Sequence, residues 1–365
     1  MITAKSGYWK DIQDAVDLVA SMGGGDVFIP EGTWNFVDVN ESWTGARVVI
    51  PAGVSLLGAP TERYPNGSVV EWKTVLQIPW DFGVPGDQGL PIWFEIKGIG
   101  DPNKPSRISD IKFVGYREFN ESSTQVLRGI VIENVINFRI DHVYFRHIPE
   151  GIAVRGGCGV IDHCIFDNVY GWHGGTDWYN RTIGYGIAID RSMSFSEWEP
   201  LDNLLGKYTN HTVFIEDNVF TRWRHCIVGN HGAHYVFRHN KIIGGCGFGE
   251  IDIHPQWNEP YVGGRCAEVY ENYLANPEGW YGSTISSGSG VFFNNTLIGY
   301  RCFLQLYDAG WNPQFYPHDL YIWSNNLDDA DPVWVSGNAT EGEDYFFYAP
   351  LNYEPCPYPH PLTQE

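Results

Sequence analysis

Phe214-Ile-Glu-Asp-Asn218 is the first strong copy of a motif that recurs along the second half of the chain. The further copies are Val236-Phe-Arg-His-Asn240, Glu268-Val-Tyr-Glu-Asn272, Val291-Phe-Phe-Asn-Asn295 and Ile322-Trp-Ser-Asn-Asn326. Their terminal asparagines are separated by 22, 32, 23 and 31 residues. Such spacings are typical of folds that stack one supersecondary unit many times. The sequence therefore predicts a solenoid.

Three weaker copies precede these and reveal the form of the unit. They are Ile108-Ser-Asp-Ile-Lys-Phe113, Ile140-Asp-His-Val-Tyr-Phe145 and Ile161-Asp-His-Cys-Ile-Phe166, and they align with residues 215–220 without gaps. Apolar residues before and after the asparagine position indicate a short strand, a turn and a second strand. Asparagine tolerates left-handed backbone angles, and its amide can bond to an asparagine in the next coil. We therefore predict an internal asparagine ladder with a structural role.

A second series of strands carries titratable side chains. Its members are residues 129–133, 151–155, 186–190, 225–229, 250–254 and 302–306. Side chains alternate along a strand, so the isoleucines of this series point into the core and their neighbours point outward. The outward set comprises Glu133, Arg155, Asp190, Asp252 and His254. This alternation predicts an outer face lined with charged groups.

The N-terminal residues predict a cap and set the domain boundaries. Apolar residues at helical spacing favour a helix over 8–22, and Gly23-Gly-Gly25 ends it. Such a helix would cover the open first coil of the solenoid. We predict one domain over 1–365, with an inserted loop region at 171–210 and an extended tail at 340–365.

These features resemble the pectate lyase-like superfamily of right-handed parallel β-helix proteins. The resemblance covers about residues 8 to 330 and rests on the helix, the three glycines, Val27-Phe-Ile-Pro-Glu-Gly-Thr33, Val49-Ile-Pro-Ala-Gly-Val54 and the asparagine repeats. It implies an all-β, single-stranded right-handed parallel β-helix. The superfamily includes lyases, hydrolases, esterases, phage tailspikes and non-catalytic surface proteins, so it does not fix an activity. The Gly-His-Gly and Arg-Ile-Lys motifs of polygalacturonase-type hydrolases and the Arg-X-Pro-X-X-Arg segment of pectate lyases are absent from the sequence.

Composition excludes some partners. A net charge of −21 argues against nucleic acid, which requires a basic surface. The chain has no apolar run near 18 residues, so we expect no transmembrane segment. An anionic glycan would need a local positive groove, built from arginines or a bound cation.

Glycosylation sequons indicate the compartment. Asn-X-Ser/Thr occurs seven times, and the loop-like sites are Asn40, Asn66, Asn120, Asn180, Asn210 and Asn338. We therefore expect a secreted or cell-surface glycoprotein. The first residues lack a basic start and an apolar stretch, so we expect no signal peptide within this chain. Seven cysteines permit up to three disulfides.

Titratable residues concentrate between 222 and 268, where four of the five catalytic candidates lie. The catalytic candidates are His231, Asp252, His254, Asp190 and Arg265. A lyase needs a base and a cation that neutralises the developing enolate. His231 or His254 is a suitable base, and Arg238 or Arg265 a suitable cation. Calcium stays an open cofactor alternative, because Asp190, Glu250 and Asp252 offer the oxygen ligands that calcium prefers.

Hydrolase chemistry is the second alternative. It needs two carboxylates that flank the glycosidic bond, and Asp190 with Asp252, or Asp252 with Glu250, satisfies that requirement in type.

Substrate-binding residues are predicted from exposed cations and aromatic rings. We assign this role to Arg155, Arg238, Trp172, Trp178 and Trp198, because long loops on rigid scaffolds carry binding and aromatic rings suit the apolar faces of sugars.

The sequence therefore predicts an extracellular polysaccharide-active protein, a lyase or glycoside hydrolase with its cleft on the outer face of a β-helix. The alternative is a non-catalytic glycosylated surface, adhesin or filament protein. For either function, the proline-rich tail is suited to dock a neighbouring subunit and form a homo-oligomer.

Overall fold

The computed structural model confirms the parallel β-helix. It describes residues 1–37, 46–63, 69–77, 92–100, 104–115, 128–148, 150–168, 184–245, 248–256, 260–309 and 312–364. Within these residues, 27 strands form one continuous parallel sheet that winds along the solenoid, and two further strands form a small antiparallel pair.

The first third of the chain contains the helix α1 (Trp9–Ser21) and eleven described strands. These strands are β1 (Ile2–Thr3), β2 (Gly25–Phe28), β3 (Gly32–Asn35), β4 (Val48–Pro51), β5 (Val54–Leu57), β6 (Glu62–Arg63), β7 (Val69–Glu71), β8 (Thr74–Gln77), β9 (Ile92–Lys97), β10 (Ser106–Ser109) and β11 (Ile111–Val114).

The central coils begin with two long strands that each bend around a corner. The strands here are β12 (Arg128–Asp141), β13 (Tyr144–Arg146), β14 (Glu150–Asp162), β15 (Ile165–Asp167), β16 (Tyr185–Asp190), β17 (Thr212–Glu216), β18 (Val219–Thr221), β19 (His225–Asn230), β20 (His234–Arg238), β21 (Lys241–Ile243) and β22 (Phe248–Ile253).

The last coils complete the solenoid. Their strands are β23 (Cys266–Tyr270), β24 (Tyr273–Ile285), β25 (Ser289–Phe293), β26 (Thr296–Leu306), β27 (Leu320–Trp323), β28 (Asp331–Val335) and β29 (Tyr345–Phe346). Short 3-10 helices in the described residues lie at Phe195–Glu197, Leu201–Asn203, Pro313–Phe315 and Pro361–Gln364.

Strand pairing divides the solenoid into three faces. The first face consists of β4, β9, residues 128–133 of β12, 150–155 of β14, β16, β19, β22, 279–285 of β24, 300–306 of β26 and β28. The second face consists of β1, β2, β5, β10, the ends of β12 and β14, β17, β20, β23, β25, β27 and β29. The third face consists of β3, β8, β11, β13, β15, β18, β21 and the starts of β24 and β26.

The asparagine ladder lies at the corner between the second and third faces, as predicted. The Nδ2 atom of Asn218 donates to Oδ1 of Asn240 at 3.1 Å, and the same contact links Asn240 to Asn272 and Asn272 to Asn295. The last member is Asn325, which accepts from Asn295 at 3.0 Å, so the prediction of Asn326 was wrong by one residue. The left-handed conformation belongs to the residue before each ladder position, as at Asp217 and His239. The asparagine itself supplies the side-chain bonds.

The interior is filled by aligned apolar side chains. Phe113, Phe145, Phe166 and Phe220 stack in successive coils with ring centroids 5.4, 4.9 and 4.6 Å apart. Helix α1 buries Ile12, Ala15, Val16 and Val19 against the first coil, as predicted for a cap. Each coil therefore has a register fixed by rings and amides at the same positions.

Six of the seven cysteines lie in the described residues, and all six are free. No helix of the described residues is long and apolar enough to cross a membrane.

The C-terminal residues 347–364, hereafter the strap, lie across the second face. The strap runs against the order of the coils. Tyr353 donates to Glu268 at 2.7 Å, the Cys356 carbonyl accepts from Arg238 at 2.7 Å, and the Leu362 carbonyl accepts from Arg139 at 2.9 Å. The strap thus packs on its own chain, and an oligomer formed through the tail stays a prediction.

The strap makes stability depend on pH through His360. Burial, reinforced by the positive charge of Arg238, lowers the pKa of His360 to about 4. Because the unfolded state takes up this proton at a pKa near 6.5, stability is lost as pH falls from about 6.5 towards 4. Between pH 7 and pH 5 we expect His360 to cost about 2 kcal/mol in the free energy of unfolding.

Urea unfolding at pH 7 and pH 5 of the wild type and His360→Gln measures this contribution. We expect the variant to lose less stability on acidification than the wild type. An equal loss in both proteins would show that His360 does not carry this dependence.

Candidate active site

The first face brings several predicted residues together at one place. Asp190 ends β16 and lies beside Asn230, which ends β19 in the next coil. His254 directly follows β22, which belongs to the coil after β19. Its backbone N–H donates to the Gly229 carbonyl of β19. Adjacent strands lie about 4.8 Å apart, so these side chains form a column with contacts from coil to coil.

His231 and Asp190 form a pair at one end of this column. Nδ1 of His231 lies 2.8 Å from Oδ2 of Asp190. A carboxylate only accepts, so Nδ1 donates to Asp190 and Nε2 is the ring nitrogen that can take up a proton. Nε2 has no hydrogen-bond partner among the described residues, and the Tyr261 ring lies beside the imidazole at 5.0 Å. This arrangement suits a general base held by a carboxylate.

The charge state of Asp190 is compatible with that role. Burial raises its pKa, but the hydrogen bond and charge of His231, together with Ser192, outweigh burial and leave the pKa below its ordinary value. Ser192 contributes its backbone N–H at 2.7 Å. Asp190 therefore stays ionised and orients His231.

A second cluster contains His225, Asp252 and His254. Oδ2 of Asp252 lies 2.6 Å from Nε2 of His254 and 3.8 Å from Nε2 of His225. Nδ1 of His254 contacts Oδ1 of Asn230 at 2.7 Å, and Nδ1 of His225 bonds to the Gly249 carbonyl. Asn230 thus lies between the two groups, since it contacts His254 and precedes His231.

Burial and charge act in opposite directions in this cluster. Burial raises the pKa of Asp252, but the charges of His254 and His225 outweigh it and hold the pKa below its ordinary value. Burial lowers the pKa of His225 to about 4, although Asp252 opposes this. At neutral pH the cluster therefore contains an ionised carboxylate and a neutral His225.

Tyr185 and Arg224 border the cluster, and Tyr185 and Asn230 were not among the sequence-predicted site residues. The Tyr185 ring lies 5.6 Å from that of His225 and 6.2 Å from that of His254, and the Arg224 guanidinium lies 5.8 Å from the Tyr185 ring. Burial raises the pKa of Tyr185 to about 12. Aligning β16 with β19 would have identified Tyr185, because it is the register partner of His225.

Arg265 is not brought to the column. Its guanidinium donates twice to the Glu199 carbonyl, at 2.9 and 2.8 Å, and once to Ser289, and it lies 4.6 Å from the Trp198 ring. Trp198 in turn packs on Phe315. The side chains of Arg265 and Trp198 therefore fix the loop around Glu199 against the solenoid.

Arg238 lies on the second face, beneath the strap. Its side chain is 0% exposed and pairs with Glu216. The structure therefore separates Arg238 from the predicted cleft.

Arg155 lies on the first face beside Asp190, with a side chain that is 41% exposed and paired with Glu133 at 3.1 Å.

The oxygen ligands proposed for calcium are not assembled in the described residues. Oε1 of Glu250 accepts from Asn276 and Tyr300 instead, each at 3.2 Å. The three-residue group that could hold a metal in the described part of the chain is His225, Asp252 and His254.

Other predicted residues are only partly covered by the structure. Trp172 and Trp178 lie outside the described residues, as do Asn40, Asn66, Asn120 and Asn180. Asn210 and Asn338 are exposed.

Comparison with known proteins gives the fold. No protein-family model and no curated protein matches the sequence. The structure is similar to two tailspike variants of Escherichia coli bacteriophage HK620. One is a double mutant with a TM-score of 0.55, and the other is in complex with a pentasaccharide, with a TM-score of 0.53. Both are 14% identical, and the match covers 95% of this chain and 60% of the tailspike chain.

An alginate lyase from Paenibacillus sp. strain FPU-7 also matches, at 12% identity over 96% of this chain and 97% of that chain, with a TM-score of 0.44.

Proposed function

We propose that the protein is a polysaccharide lyase that cleaves a uronate-containing glycan on the first face. The observation that carries this proposal is the His231–Asp190 pair, in which Nδ1 is held at 2.8 Å and Nε2 is open. The proposal places the protein outside the cell, where such glycans occur, in keeping with the exposed sequons at Asn210 and Asn338.

The electrostatics favour a lyase over a hydrolase. A glycoside hydrolase needs one carboxylic acid with a raised pKa to protonate the leaving oxygen. In the first suggested pair, Asp190 and Asp252 both have lowered pKa values and stay ionised. In the second pair, Oε1 of Glu250 accepts from Asn276 and Tyr300. The same ionisation favours elimination, because Asp190 stabilises His231 when that residue takes up a proton.

The elimination step assigns a role to each group. Nε2 of His231 takes the proton from the carbon next to the uronate carboxylate. The electron pair of that C–H bond forms the new double bond, and the glycosidic C–O bond breaks. The Tyr261 hydroxyl, on the ring beside His231, is suited to return a proton to the leaving oxygen. No water is added to either product.

Arg155 is suited to bind the substrate carboxylate. It occupies the coil next to Asp190 on the same face. Its partner Glu133 is also solvent-accessible, and an exposed ion pair contributes only about 0 to 1 kcal/mol. The guanidinium can therefore exchange Glu133 for a substrate carboxylate at little cost. This local cation offsets the net negative charge of the protein.

The tailspike comparison supports a glycan as the ligand class. The HK620 tailspike variant, which shares the fold, is in complex with a pentasaccharide. The support is an analogy at the level of the fold, and the residues of the first face carry the chemical argument.

A panel of neutral and uronic-acid polysaccharides tests the proposal. We expect uronate polymers to yield new reducing ends together with the ultraviolet absorbance of an unsaturated uronate. Reducing ends without that absorbance would indicate a hydrolase. An inert protein across the panel would favour the non-catalytic surface role.

A further inference from the structure

We propose that His225, Asp252 and His254 bind a divalent first-row transition metal ion of the Zn²⁺ type. One ligand atom from each residue lies within 4.8 Å of the others. The residues come from β19, β22 and the turn after β22, in adjacent coils of the first face. This inference does not rest on the proposed lyase activity, because none of the three residues is the proposed base.

The ring nitrogens are oriented as in a metal site. A backbone carbonyl can only accept, so Nδ1 of His225 carries a proton and donates it to Gly249. Nδ1 of His254 likewise faces the amide oxygen of Asn230 at 2.7 Å. Nε2 of each ring therefore faces the Asp252 carboxylate.

A short contact of 2.6 Å joins Nε2 of His254 to Oδ2 of Asp252. Either a proton on Nε2 or a metal ion bound by both atoms accounts for this contact. A proton serves only the His254–Asp252 contact, whereas a metal ion also explains why Nε2 of His225 lies 3.8 Å from the same oxygen.

The hydrogen-bond acceptors around the two histidines match those of known metal sites. Histidine ligands commonly donate their other N–H to a carbonyl or carboxylate, which fixes the ring. Gly249 and Asn230 provide these acceptors. Asp252 is 2% exposed and His225 is 6% exposed, so the charge of the carboxylate is poorly hydrated. A bound cation would compensate it.

The ligand set selects the metal. Two imidazoles and one carboxylate suit zinc and its neighbours, whereas calcium prefers six to eight oxygens. Zinc binds nitrogen and oxygen at about 2.0 to 2.2 Å, so the three ligand atoms, which lie within 4.8 Å of one another, have to shift to close around the ion. Three protein ligands leave a position for water or for a sugar oxygen.

Calorimetric titration of the metal-free protein with Zn²⁺ tests the site, with Ca²⁺ as the comparison ion. We expect one Zn²⁺ per chain in the wild type and weakening by about 100-fold or more in Asp252→Asn. Asp190→Asn is the matched control, because it alters a histidine–aspartate pair outside the cluster and should bind Zn²⁺ as the wild type does. Asn230→Ala removes only the acceptor that faces Nδ1 of His254, and we expect about a 10- to 100-fold loss of affinity.

Anomalous diffraction at the zinc edge, on crystals of the wild type, locates the ion even if the buried variants fail to fold. Density between the three side chains supports the proposal. A wild type that binds no Zn²⁺, binds it elsewhere or binds it equally in Asp252→Asn would overturn the metal site and favour a shared proton. Because the readout is binding, a failed lyase assay leaves this result unaffected.

Discussion

We expect His231→Gln to lower the rate of glycan elimination by about 10²- to 10⁴-fold, the range that a positioned general base contributes. Nε2 of His231 is the open nitrogen of the Asp190 pair, and glutamine fills similar space without accepting the proton at neutral pH. The side chain is 19% exposed, so the substitution should leave the fold intact. Initial rates from the ultraviolet absorbance of the unsaturated product measure the effect.

Two further variants separate catalysis from folding. His163→Gln alters another histidine–aspartate pair, with Nδ1 at 2.9 Å from Asp162, beside the ladder corner, and should retain full activity. Asp190→Asn should keep KM and lower kcat, because Asp190 positions His231 and does not hold the sugar. If His231→Gln were as active as His163→Gln, His231 would not be the base.

The second large effect concerns stability. Arg238→Met is expected to lower the free energy of unfolding by about 3 to 5 kcal/mol. Arg238 donates to Glu216 at 2.8 Å, to Tyr270 at 3.0 Å and to carbonyls of Cys356 and Pro357 in the strap. Its loss leaves the carboxylate of Glu216 buried without a cation, and burial already raises the pKa of Glu216.

Urea unfolding and limited proteolysis of the strap measure this prediction. Arg155→Met is the matched control, since it breaks an exposed pair with Glu133 and should change stability by about 1 kcal/mol or less. Replacing Glu216 by leucine in the Arg238→Met background should recover part of the loss, because the unpaired charge is then removed. A cost no larger than that of Arg155→Met would contradict the anchoring role.

The sequence predicted the fold well because each copy of the repeat corresponds to one coil of the solenoid. The apolar positions, the ladder asparagines and the outward strand residues each follow from a periodicity that local geometry imposes. The error at Asn326 arose because two asparagines are adjacent there. Phe292 pairs with Ile322, and this register places Asn325 beside Asn295 in the ladder.

The site was predicted less completely. The alternation along a strand shows which side chains point outward, but it does not show which other segments of the chain cover that face. Arg238 points outward, yet the strap buries it, and no periodicity shows that residues 347–364 return over the second face. Arg265 is occupied by a carbonyl of a loop that lies 66 residues earlier in the chain. Asp190, Asp252 and His254 were found from the alternation of side chains along their strands, and His231 from the concentration of titratable residues between 222 and 268. The sequence does not show that these residues form two groups, the His231–Asp190 pair and the cluster with Asp252 and His254, because that division depends on distances between side chains.

The most direct test of the central claim is the mass of the products that the purified protein forms from a defined uronate oligosaccharide. Elimination adds no water, so we expect pairs of products whose masses add up to that of the substrate, one of them carrying the unsaturated sugar. Product pairs heavier than the substrate by one water would show hydrolysis, and an uncut substrate across the uronate series would show that the first face does not perform this chemistry.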